Sequence, residues 1–272
     1  MIAIIILVYV FHVSGLSAGG TLAAGVAKQL VTLNNIHSNE TSPLPKLLVL
    51  VNAPLQALSL RLPSIQHNAY NAFQTRASYI WFLGNYLFGS QRYYNKLWNN
   101  RHVPDDVLQR FETEVFKVLP DDEIKRNYEL ETTLSFMDIF RKTLSQIRKR
   151  YISKFIYSGK TEKRNEKQET EKPDSGVNKF WSDNKHLFLD ESAFPLMARN
   201  FSYMPKTHIY HCYWDILRDD SVLYAHKLRK AGIDVTEVSS YKCHHLWNVF
   251  QSLDEHNSNM FDDLVANIAK DL

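Results

Sequence analysis

From Ile2 to Val13 the chain is aliphatic, β-branched or aromatic with one polar residue, His12, the pattern of a strand buried on both faces. Directly afterwards the period lengthens. Leu22, Val26 and Leu30 recur four apart on one face of a predicted helix. Ala18, Gly20, Ala23, Ala24 and Gly25 are small enough to let that helix pack closely on a sheet. Three more runs have strand character: 46–52, 208–214 and 233–241. Between the last two, residues 221–231 predict a helix stopped by Gly232. Such a succession of strands and helices predicts an α/β fold with a mostly parallel sheet.

The stretch from about 60 to 200 has a different texture. Tyr79, Trp81, Phe82, Tyr86 and Phe88 crowd a helical segment that also holds Ile80 and Leu83. It reads as a helix buried against the core or as an exposed face that touches acyl chains or a membrane, and either lining suits apolar substrates. From Ser158 to Gly176 there is no aliphatic, aromatic or cysteine residue, while five basic and five acidic side chains occupy nineteen positions. That segment cannot bury a core and is expected to be a disordered surface loop. The expected organisation is one domain over 1–272, with a helical cap inserted over 60–200.

At 272 residues the chain is long enough for one sizeable core. A net charge of +3 is too small and too little clustered for a nucleic-acid partner, and Arg148-Lys149-Arg150 reads as a solvated helix end. Apart from the pair His244-His245, the histidines show no metal-ligand spacing, so neither metal nor cofactor is expected.

The chemistry enters at the boundary between the first strand and the first helix. Gly15-Leu16-Ser17-Ala18-Gly19 is a G-x-S-x-G pentapeptide in the strand-to-helix context that a nucleophile elbow requires, with Gly15 and Gly19 as the glycines of the crowded turn. Asp215 stands at the C-terminal end of the 208–214 strand, on the side where parallel sheets build their sites. Asp219 and Asp220 read instead as cap and first-turn residues of the next helix. After the last strand come Cys243-His244-His245, and at most one of the two adjacent histidines points inward. Serine, aspartate and histidine thus follow one another in the order used by α/β-hydrolases.

In these motifs the chain resembles the arylacetamide deacetylases and neutral cholesterol ester hydrolases, in the hormone-sensitive-lipase branch of the α/β-hydrolases. The resemblance rests on S-G-L-S-A-G-G-T-L-A-A at 14–24, A-P-L-Q-A-L at 53–58, L-P-S at 62–64, H-V-P at 102–104 and Y-W-D-I-L-R-D-D at 213–220. It implies Ser17 as nucleophile, Asp215 as the residue orienting the base, His244 as general base and acid, and the Ala18 backbone N–H as an oxyanion donor. It implies a serine carboxylesterase acting on acyl esters or arylacetamides of small apolar substrates. It also implies association with the endoplasmic reticulum membrane on the luminal side. The competing reading is a catalytically inactive member that binds lipid or protein.

Three positions depart from the family pattern. No H-G-G-G oxyanion loop occurs in the sequence, Leu16 stands where relatives are acidic, and the histidine loop reads Y-K-C-H-H in place of G-F-H-G. In this fold the strand entering the elbow is central, so the expectation is a chain truncated at its N-terminus and holding only the C-terminal strands of the sheet. Met1 to Phe11 reads as strand in preference to a signal anchor. Asn39-Glu40-Thr41 and Asn200-Phe201-Ser202 are sequons. Cys212 and Cys243 are open to pairing or to remaining free, and the buried strand around Cys212 favours free thiols.

Overall fold

The computed structural model describes residues 11–36, 43–71, 74–119, 175–245 and 255–271. Four strands form one sheet in the order β1-β2-β3-β4: β1 (His12–Leu16), β2 (Leu47–Val51), β3 (Lys206–Trp214) and β4 (Val235–His244). All three pairings are parallel, with His12 opposite Leu47, Leu47 opposite Lys206 and Thr207 opposite Val235. Of the strand expected over 2–13, residues 2–10 lie outside the described residues. The described β1 begins where that expectation ends and runs into the pentapeptide itself.

Strand alternation divides the core in two. On one face Leu48, Leu50 and Ile209 pack with α1 (Ala18–Ile36) through Ala23, Ala24, Ala27 and Val31. The same face receives Leu223, Tyr224 and Leu228 from α7 (Arg218–Lys230). On the other face Leu47, Val49, Val51 and Tyr210 meet Leu264 and Ile268 of α8 (Glu255–Asp271). The C-terminal end of α8 is fixed by Asp271, which pairs with Lys206 and His208 of β3, each at 2.7 Å.

The stripe of Leu22 and Val26 on α1 does not face the sheet. These side chains are 59% and 49% exposed, and the alanine and glycine side of the helix is buried. The reason is distance: a Cβ on Gly20 would lie 2.6 Å from that of Ala53, so only the small-residue face can approach the strand ends.

Between β2 and β3 lie α2 (Pro63–His67), α3 (Arg76–Phe88), α4 (Tyr94–Trp98), α5 (Asp105–Phe116) and α6 (Ser175–Phe188). The charged stretch 158–176 lies outside the described residues up to Asp174, and its last two residues open α6. A reciprocal box between Thr75 and Ser78 starts α3, and Gly89 in the left-handed region ends it. Its apolar residues divide: Tyr79, Ile80 and Leu83 are buried, whereas Trp81, Phe82 and Tyr86 are about half exposed.

Asp219 and Asp220 do lie in the first turn of α7, but their carboxylates do not serve that helix. Asp219 accepts from the backbone N–H of Ser64 at the start of α2, and from the buried Arg218 guanidinium. Asp220 accepts from the Leu55 N–H and the Gln56 amide. The backbone that leaves β2 has no regular ladder, and these buried carboxylates supply acceptors for its N–H groups.

Candidate active site

Each strand delivers one polar residue at its C-terminal end. Ser17 follows β1, Asn52 follows β2, Asp215 follows β3 and His245 follows β4. Ser17 adopts φ 54°, the strained elbow conformation, and its N–H donates to the Val51 carbonyl at 2.8 Å. A Cβ on Gly15 would lie 2.1 Å from the Gly19 carbonyl oxygen, so the first glycine of the turn is required by space. Gly19 differs: nothing described lies within 4 Å of a Cβ built on it, and the second crowded glycine of the turn is Gly20.

His245, and not His244, joins the other two. Its Nε2 is 3.0 Å from the Ser17 Oγ and its Nδ1 is 2.8 Å from the Asp215 Oδ2. The correction follows from where β4 ends. His244 is still a strand residue, paired with Trp214, whereas His245 is the first residue beyond the ladder and free to turn its ring across the strand ends. His244 is half-buried, and that burial lowers its pKa against the opposing pull of Asp215. The other Asp215 oxygen accepts from the Leu217 N–H at 2.9 Å, and the carboxylate is fully buried. With Asp215 accepting at Nδ1, the neutral ring carries its proton there and leaves Nε2 as the acceptor for the serine hydroxyl.

Ala18 opens α1, and the first N–H groups of a helix have no partner inside it. It lies with Ser17 on the wall of a cavity of about 430 Å³ between α1 and α3. Leu22, Phe82, Leu83, Tyr86 and Phe194 are among its lining residues. The polar atoms of two further wall residues are turned away: Tyr79 donates to the Gln56 carbonyl at 3.1 Å, and Thr21 donates to that of Pro54. What faces the serine is therefore a largely apolar slot, with Gln74 as a remaining polar residue on its wall.

Cys212 and Cys243 form a disulfide, against the expectation of free thiols. An irregularity in the β3–β4 ladder makes this so. Cys212 faces Ser240, yet Trp214 faces His244, so β4 advances four residues while β3 advances two. The surplus brings Cys243 beside Cys212, which simple alternation along β4 would not have placed there. Among the described residues no His, Cys, Asp or Glu group is arranged to hold a metal.

A serine at a strand-to-helix elbow, followed by an acid and a histidine at later strand ends of a parallel sheet, defines an α/β-hydrolase, and the comparisons agree. A family model described as alpha/beta hydrolase fold matches residues 156–249. One of two fungal esterases from Rhizomucor miehei superposes with a TM-score of 0.52 at 18% identity, covering 95% of this chain and 49% of that one. The chain is 27% identical over 227 residues to arylacetamide deacetylase of Oryctolagus cuniculus. It is 28% identical over 230 residues to neutral cholesterol ester hydrolase 1 of Rattus norvegicus. Each match covers 82% of this chain and 45% of the relative, so the chain spans less than half the length of the curated relatives it matches. The chain has the α/β-hydrolase fold and is similar in sequence to the arylacetamide deacetylases and neutral cholesterol ester hydrolases.

Proposed function

We propose that the chain carries the serine esterase centre of a carboxylic ester hydrolase acting on acyl esters, or arylacetamides, of apolar substrates. The observation that carries this reading is the continuous hydrogen-bonded chain Ser17–His245–Asp215 at the mouth of an apolar cavity. In the first step the Ser17 Oγ bonds to the carbonyl carbon and its proton passes to the His245 Nε2. Asp215 stabilises the imidazolium so formed, and the Ala18 N–H faces the developing oxyanion. Collapse breaks the bond to the leaving alcohol or amine, which takes the proton from His245. Water, deprotonated by the same nitrogen, then hydrolyses the acyl-enzyme and restores the serine.

The relatives' names, a deacetylase and an ester hydrolase, support this class without fixing the substrate. In this reading the helices within 60–200 form the cap, and Phe82, Tyr86 and Phe194 line the apolar group's slot. We also place the protein in the endoplasmic reticulum lumen. That placement is supported by the disulfide, which favours an oxidising compartment, and by the exposed sequon at Asn200. No described helix is long and apolar enough to cross a membrane.

Covalent labelling by a fluorophosphonate probe tests the centre. Labelling of the chain that disappears in Ser17→Ala is the expected outcome. A folded chain that the probe leaves unmodified supports the competing reading, a catalytically inactive member.

A further inference from the structure

Three of the four residues that follow the strands form the hydrogen-bonded chain of the site; the fourth, Asn52, touches none of the reacting atoms. It is 1% exposed and sits in the left-handed region at φ 46°. Its backbone N–H donates to the Tyr210 carbonyl at 3.0 Å, which seats it against β3. Its side chain then bridges two elements. The Oδ1 accepts from the Cys212 N–H at 3.1 Å, and the Nδ2 donates to the backbone carbonyl of His245 at 3.2 Å. The same Nδ2 lies 3.7 Å from the Cys212 sulfur.

The backbone it grips is the one the ladder does not hold. Register between β3 and β4 breaks between Cys212 and Trp214, so regular pairing cannot transmit the position of β3 to His245. The Cys212–Cys243 bond crosses that break, with the two Cα atoms 5.1 Å apart, and ends two residues before His245. Asn52 and the disulfide therefore act on the same short segment from two sides, and both refer it to Cys212. A ring that must stay 3.0 Å from one partner and 2.8 Å from another needs its backbone fixed to a fraction of an ångström.

We propose that Asn52 and the Cys212–Cys243 disulfide are positioning groups that together clasp the His245 backbone in register with Ser17 and Asp215. This rests on the reading of Ser17 and His245 as nucleophile and base. Asn52 is suited to the task because asparagine tolerates the left-handed region and offers an acceptor and a donor on one short side chain. Asn52→Asp keeps the shape and the acceptor for the Cys212 N–H but sets an oxygen against the His245 carbonyl. Asn52→Gly keeps the backbone conformation at no steric cost and removes both side-chain bonds.

The test compares the parent, Asn52→Asp, Asn52→Gly and the double variant Cys212→Ala/Cys243→Ala in two measurements. One is the second-order rate of fluorophosphonate labelling at Ser17. The other is the low-field proton resonance of the His245 Nδ1–H held by Asp215, recorded in a Ser17→Ala background so that it is independent of the nucleophile. The clasp predicts labelling slower by about 10²-fold, the scale of a 1 Å misplacement, and loss or broadening of the resonance in every variant. Folded variants with the parent's labelling rate and resonance would overturn it, and the glycine and disulfide variants decide the matter if the aspartate variant does not fold. An unlabelled parent whose resonance is present and is lost in the variants would retain the clasp and reject the nucleophile.

Discussion

The reach of a histidine side chain is about the same at 244 and 245, and the two positions differ only in what the backbone is doing. At 244 it is committed to the sheet opposite Trp214; at 245 it has left the sheet and its carbonyl is held by Asn52. The consequence is a sharp asymmetry between neighbours. His245→Ala should lower labelling or ester hydrolysis by about 10⁴-fold, as removal of a triad member does elsewhere, while His244→Ala should stay near the parent rate. Equal losses in the two variants would contradict the assignment. Ser17 and Asp215 were legible from the sequence because each sits in a motif whose neighbours mark a strand end. The histidine was not, because two identical residues stand side by side and the phase of an irregular strand decides between them.

At the level of elements, the segment from Asn52 to Ser64 has no ladder of its own and is held by carboxylates from α7. Burial pushes Asp220 up to about 7, with the neighbouring Asp219 charge adding to it and the Leu55 and Gln56 hydrogen bonds opposing it. An unfolded aspartate titrates near 3.9, so between about 3.9 and 7 the folded chain holds a proton that the unfolded chain has released. This contribution to stability is full below that window and is lost as pH rises through it. Buried His102, whose Nε2 lies 2.8 Å from the Ala57 carbonyl, has the opposite sign. Desolvation lowers it to about 4, so its contribution is full above 6.5 and is lost as pH falls towards 4. The two oppose each other across much of the acid range. Replacing Asp220 by Asn should leave His102 unopposed, so that urea stability declines more steeply from pH 6.5 to 4.5, by up to about 1.4 kcal/mol per pH unit. An unchanged slope would show that Asp220 does not titrate in that range. The sequence marked Asp219 and Asp220 correctly as first-turn residues, yet the backbone N–H groups they hold, those of Ser64 and Leu55, lie more than 150 positions away, beyond any local reading.

For the whole molecule, the sheet gathers its polar residues at one end because all four strands run in parallel, so every strand's C-terminal end arrives on the same side. Among the described residues β1 pairs with β2 alone, and α1 turns Leu22 and Val26 outward, so the elbow stands at one margin of the described sheet. The luminal placement is tested at this scale. Asn200 is exposed, and its side chain accepts from the Ser202 N–H at 2.8 Å in a turn just before β3. Expression in a secretory host should give a glycoform that an endoglycosidase shifts and Asn200→Gln reduces. A chain that enters the lumen and stays unmodified at Asn200 would show that the turn withholds the sequon.

The sequence by itself determined the α/β class, the positions of β2, β3 and β4 to within a few residues, the elbow serine and the strand-end aspartate. These follow from local patterning, since a buried strand, a small-residue helix and a crowded turn each need particular residues within a few positions. Tertiary structure alone decided which histidine meets the serine, that Cys212 bonds Cys243, that α1 buries its alanines in preference to its leucine stripe, and that Asn52 belongs with the site. Each of these turns on register and distance between segments far apart in the chain, and one extra pair of residues in β4 is enough to change three of the four.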